Sequence, residues 1–148
     1  MEVKKVYKSF RYRNQAVWQS PGRVLIQASA HPDLPSGAPP EFRGHPDVWG
    51  PEELLVASVN ACLATTFQAL AGARKLVFTA YESAAEGLLE NVEGKYQMTA
   101  VEVRALITLK SPDDAGAAQE VLAKVKENCF ISNSIKAKVT YAPEIESA

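Results

Sequence analysis

Apolar residues over the first 29 positions come in short blocks. Phe10 and Tyr12, Ala16 to Trp18, and Val24 to Ile26 form them, with Arg13-Asn14-Gln15 and Ser20-Pro21-Gly22 between. Short apolar and aromatic runs divided by turn residues predict a three-stranded antiparallel start within residues 1–29, beginning at Val3. Residues 30–50 lose this pattern, because Pro32, Pro35, Pro39, Pro40 and Pro46 with Gly37, Gly44 and Gly50 break helix and strand alike. A long loop is expected there. Its apolar Phe42, Val48 and Trp49 give it something to dock with, which makes it a candidate wall of an active site.

At Pro51 the spacing changes to three and four, through Leu55, Val59, Cys62, Thr66 and Ala69. Proline suits the first helical position and Glu52 and Glu53 suit the positive end of the helix dipole, so a central helix is expected over residues 51–73. Leu76 to Glu82 reads as a strand. Val101, Val103, Ala105, Ile107 and Leu109 alternate with Glu102, Arg104, Leu106 and Thr108, another strand with Leu106 as its one outward apolar residue. Ser111-Pro112-Asp113-Asp114 opens a second helix whose face runs through Ala118, Leu122 and Val125 to Cys129 at its end. Ile135 to Tyr141 closes the fold as a strand, with a loose tail expected from Ala142. The order of strands, helix, strands, helix and strand is α+β, a single domain over residues 1–148 whose strands and second helix occupy 76–142.

A length of 148 residues with 47% hydrophobic composition is enough for one self-sufficient core. Sixteen basic residues against seventeen acidic ones leave a formal charge of −1 and no field to hold nucleic acid or an anionic membrane. The opening MEVKKVYKSFRYRNQ has no apolar signal core, and no later stretch reads as the ~20 apolar residues of a membrane span, so a cytoplasmic protein is expected. In that compartment two cysteines do not form a structural framework. If they pair, they pair during turnover.

Candidate chemistry narrows to those thiols. His31 and His45 are the two histidines, and C-x-x-C and H-E-x-x-H spacings are absent, so no metal site is expected. G-x-S-x-G and the phosphate-cradling glycine motifs are absent too. On periodicity alone Cys62 and Cys129 read as small core residues. A positive charge beside one sulfur would change that by favouring thiolate, and within a helical turn of Cys62 there is none. It has to come from elsewhere in the fold.

The run from Trp49 through Gly50-Pro51-Glu52-Glu53-Leu54-Leu55 to Ala61-Cys62 resembles the signature of OsmC/Ohr proteins. That signature is an Asn-Pro-Glu-Glu/Gln-Leu stretch leading through small residues into Ala-Cys, with Gly50 here in the asparagine place. Asn128-Cys129-Phe130-Ile131-Ser132 is similar to the family's Cys-Pro-Val-Ser segment, with Phe130 in the proline place. The resemblance covers most of the chain after Phe42. It implies an OsmC-like fold, antiparallel sheets around a long central helix, in an intertwined homodimer. It also implies a thiol-dependent peroxidase for organic hydroperoxides, in which Cys62 attacks, becomes a sulfenic acid and condenses with Cys129 to a disulfide.

Carried over, the same resemblance gives Glu52 the part of the acid that holds an arginine. Arg43 is the choice for that arginine, while Arg11, Arg13 and Arg23 stand where an Ohr-type member takes it. The guanidinium would stabilise the Cys62 thiolate and orient the peroxide. Phe42, Val48, Trp49, Phe67 and Phe130 are the candidate pocket. The reductant is an external dithiol, a lipoyl type among the candidates, with no resident cofactor or metal. A non-enzymatic ligand-binding or redox-sensing protein on the same fold is the alternative. One tension stands out: ten residues of helix between Glu52 and Cys62 span ~15 Å. Either the helix bends or starts late, or a partner chain contributes.

Overall fold

The structure, a computed structural model, describes residues 2 and 5–148; Met1, Val3 and Lys4, part of the expected N-terminal strand region, lie outside the described residues. The chain forms two compact units, Met1–Pro51 and Glu52–Ala148. In the N-terminal unit β1 (Gln15–Ser20), β2 (Arg23–Gln27) and β3 (Leu34–Gly37) make an antiparallel sheet in that order. Gly22, with φ of 76°, permits the tight turn between β1 and β2. Three strands were expected, but the third differs. Phe10 and Tyr12 lie outside any strand, and β3 comes from within the proline-rich segment 30–50 that reads as loop. Edge position explains it: β3 pairs with β2 on one side and meets the other side only through a single bridge of Ser36 to Trp49, so Pro35 sits in it at little cost.

The rest of that segment is also fixed. Ser36 Oγ donates to the Trp49 carbonyl at 2.6 Å, and His45 Nε2 donates to the Pro21 carbonyl at 3.0 Å. A 3-10 turn at Pro40–Phe42 ends at Arg43, whose φ of 61° is left-handed. Arg23 Nη2 donates to both carboxylate oxygens of Asp47, at 2.7 and 2.8 Å.

The C-terminal unit opens with α1 (Pro51–Ala73), within the bounds the sequence predicts. β4 (Phe78–Val92) and β5 (Lys95–Leu109) form a long antiparallel hairpin. Its two-residue turn is Glu93-Gly94, both at positive φ, the geometry that fits the twist of paired strands. After a 3-10 turn at Pro112–Asp114, where Ser111 Oγ accepts from the Asp113 amide at 3.2 Å, α2 (Ala115–Asn128) leads to β6 (Lys138–Ser147). The sheet order is β4-β5-β6.

Two expectations change here. β6 lies parallel to β5, so this sheet is mixed where antiparallel pairing throughout was expected; α2 supplies the crossover that a parallel neighbour requires. The tail from Ala142 is not loose either, since pairing continues from Ala142 opposite Arg104 to Ser147 opposite Leu109. As in β3, the proline of β6, Pro143, stands on an edge strand.

The core of this unit joins the inward residues of β5 (Val101, Val103, Ala105, Ile107, Leu109) to one face of each helix. Burial of each such Val, Leu, Ile or Phe stabilises by about 1.5–3 kcal/mol. On α2 the buried face is Ala118, Val121, Leu122 and Val125. On α1 it is Val59, Leu63, Phe67 and Ala71, a stripe rotated from the one the sequence suggests. Cys62 and Thr66 therefore sit half-buried at its margin, and Ala69 is exposed. Gly87 lets α1 approach β4: a Cβ there would fall 2.3 Å from Val56 Cγ2. Contrary to expectation, α1 is long and apolar enough by length and composition to cross a membrane. Here its apolar stripe is consumed by the core, with Val59, Leu63, Phe67 and Ala71 at 0% exposure.

Candidate active site

Cys62 stands in the fourth turn of α1, held at the edge of the core by Val59 and Leu63 on its buried side. Cys129 is the C-cap of α2, where its backbone turns extended and its amide still bonds to the Lys126 carbonyl. Directly afterwards the chain curls back. Asn133 donates its amide to the Cys129 carbonyl at 3.1 Å and Ser134 to the Ile131 carbonyl at 3.0 Å, closing a 3-10 turn at Ser132–Ser134. This curl presents the Phe130 and Ile131 amides to Cys62 and turns Ser132 onto Cys129.

The two thiols are unbridged and in hydrogen-bonding contact. Burial pushes the Cys62 thiol up, but the Cys129 thiol, the Ile131 amide, the Thr66 hydroxyl and the Phe130 amide together bring it below the ordinary thiol value. The Thr66 Oγ1 to Cys62 Sγ distance is 3.9 Å. Burial pushes Cys129 up, and its bond to Cys62 adds to the rise, against the opposing effect of Ser132. Of the two thiols, Cys62 is the one that gives up its proton first. Within one chain these neutral donors lower Cys62.

Of the other expected site residues, Glu52 lies in the first turn of α1, ten residues before Cys62 on an unbroken helix, about 15 Å along its axis. A late start of the helix is ruled out. Glu52 Oε2 is buried without a hydrogen-bond partner. Phe67 is sealed in the core between Phe78, at 5.1 Å between ring centres, and Tyr81, at 5.3 Å, while Phe130 is 80% exposed. Arg43, Phe42, Val48 and Trp49 belong to the N-terminal unit, where Val48 is half-buried and Phe42 and Trp49 are exposed. Sequence reasoning assigned no role to Thr66, Ile131 or Ser132. The signals were present: Thr66 is one helical turn beyond Cys62, and Ser132 follows a helix-ending cysteine by three positions. Among the described residues no group of three or more His, Cys, Asp or Glu side chains could hold a metal ion.

The family model described as OsmC-like protein matches residues 44–144. A protein of Escherichia coli strain K12 named peroxiredoxin OsmC is 23% identical over 140 residues, 91% of this chain and 96% of the relative. Among solved structures, an OsmC-like protein of Vibrio cholerae superposes with a TM-score of 0.76 at 22% identity, covering 92% of this chain and all of its own. An organic hydroperoxide resistance protein of Elizabethkingia anophelis gives 0.71 at 17%, over 95% of this chain and 100% of that one. The organic hydroperoxide resistance protein OhrB of Bacillus subtilis gives 0.63 at 20%, over 93% and 98%.

Proposed function

The chain belongs to the family of OsmC-like proteins, and from that premise we propose that it is a cytoplasmic thiol-dependent peroxidase acting on organic hydroperoxides. The observation that carries the reading is the pair of unbridged sulfurs, a half-buried one biased toward thiolate against a fully buried one biased toward thiol. The names of the relatives in Escherichia coli, Elizabethkingia anophelis and Bacillus subtilis point the same way. In this reading the Cys62 thiolate attacks the terminal peroxide oxygen. The O–O bond breaks, the alcohol leaves with a proton, and Cys62 becomes a sulfenic acid. Cys129 then displaces hydroxide to form the disulfide, and an external dithiol restores both thiols by two exchanges.

Reduced protein treated with one equivalent of cumene hydroperoxide is expected to lose two hydrogen masses and to yield a peptide pair joined through Cys62 and Cys129. Two thiols that stay reduced would overturn the peroxidase and favour a binding module.

Glu52 completes the reading. A carboxylate oxygen buried without a donor is costly, and a guanidinium is the partner that best relieves it. We assign that guanidinium to Arg43 ahead of Arg11 and Arg13; Arg23 is already engaged by Asp47. The separation of Glu52 from Cys62 supports a homodimer. α1 exposes Ala61, Thr65, Gln68, Ala69 and Gly72, a mostly small stripe against which a second helix can pack at about 8–10 Å. Antiparallel pairing about a two-fold axis would carry Glu52 of one copy toward Cys62 of the other. Native light scattering is expected to give twice the 16.1 kDa of the chain; the single mass would remove the shared site.

A further inference from the structure

Cys129 has two tasks in the proposed cycle, and its surroundings oppose both. It must become a nucleophile to close the disulfide. It must also leave as a thiolate when a dithiol attacks the more accessible Cys62 sulfur. Yet it is 0% exposed, and charge on a buried sulfur is disfavoured. In the resting pair its bond to the electron-rich Cys62 raises it further.

Ser132 opposes this. Its hydroxyl lies 3.0 Å from Cys129 Sγ and its amide nitrogen 3.5 Å, both as donors. Both groups reach the sulfur because the extended backbone at Cys129 and the 3-10 turn at Ser132–Ser134 fold the serine back over it. We propose that Ser132 is the positioning residue of Cys129, holding the sulfur toward Cys62 and carrying its negative charge whenever the disulfide forms or opens.

This rests on the peroxidase reading and supplies its second half. Once Cys62 is a sulfenic acid, its charge is gone and the bond that raised Cys129 goes with it. Cys129 sulfur then attacks Cys62 sulfur, an S–S bond forms, the S–O bond breaks, and hydroxide leaves as water with the proton of the Cys129 thiol. In reduction the external thiolate forms a mixed disulfide at Cys62 and expels Cys129 as thiolate into the same two donors. The second thiol of the reductant then frees Cys62, so that the reductant ends as the disulfide.

The test separates the two steps. Reduced wild type, Ser132→Ala and Ser132→Thr are mixed with one equivalent of cumene hydroperoxide. Samples are quenched over time with dimedone, which captures sulfenic acid, and with a thiol-blocking maleimide. Loss of the Cys62 thiol should keep its wild-type rate in all three. Disulfide formation in Ser132→Ala should slow by about tenfold, the scale of one hydrogen bond to a charged group, and recover only at higher pH. Ser132→Thr, which keeps the hydroxyl, should restore the rate. Disulfide formation at the wild-type rate in Ser132→Ala, or equal slowing of both steps, would overturn the role of Ser132 alone. A wild type that yields no sulfenic acid and no disulfide would overturn the peroxidase reading as well.

Discussion

Replacing Cys62 with serine is expected to bring organic hydroperoxide consumption down to the rate without protein, a fall of at least about 10³-fold, as removal of a reacting nucleophile does elsewhere. Cys129→Ser should behave differently. Cys62 would still react once, but its sulfenic acid would persist and, with excess peroxide, advance to the irreversible sulfinic acid. The split follows from the arrangement of the pair: the donors from Phe130, Ile131 and Thr66 converge on Cys62, whereas Cys129 is buried and retains its proton. The sign with pH follows too. A lowered thiol pKa keeps thiolate present to lower pH, so limiting iodoacetamide should mark Cys62 first, its rate falling as pH falls through that pKa. Cys129 should be marked only above the usual ~8.5. A Cys129→Ser variant that fails to form the sulfenic acid at all, or equal alkylation of the two cysteines, would contradict the assignment.

How much of this the sequence could reveal depended on whether the signal was local. Pro51, Glu52 and Glu53 mark the start of α1 within a single turn, and its end at Ala73 precedes a run with no helical spacing. The alternation in β5 is equally local, because every second residue from Val101 to Leu109 enters the core. β3 and the end of β6 were hidden by prolines, whose cost in a strand depends on having a neighbour on that side, a tertiary fact. The reach of β4 to Val92 was hidden as well. Its polar outer residues Glu82, Glu86 and Glu90 need no core contact, and only pairing with β5 makes it a strand. At the site both cysteines were legible, yet what lowers Cys62 was not. Backbone amides carry no sequence signature, and their convergence depends on how the chain turns after Cys129. The orphaned oxygen of Glu52 is visible only where burial can be measured.

Phe67→Ala is expected to cost about 3–5 kcal/mol, the range for truncating a buried phenylalanine. Phe67 is the largest fully buried side chain, and one ring is shared between an edge-on contact to Phe78 and a stacked one to Tyr81, so its loss opens a cavity that α1 and β4 must both line. The thermal midpoint should fall by on the order of 10 °C. The denaturant midpoint should fall with an unchanged slope, because the surface exposed on unfolding is nearly the same. Phe67→Leu should lose distinctly less. The chemistry should register the cavity as well, since the stripe of Val59, Leu63, Phe67 and Ala71 sets the rotation of α1 and hence the direction of Cys62. Well below its melting temperature, Phe67→Ala should form the disulfide more slowly while Cys62 still meets peroxide at near its normal rate. A loss of stability under about 1 kcal/mol would mean that α1 is not fixed by this face, and the rotation that aims Cys62 would then need another cause.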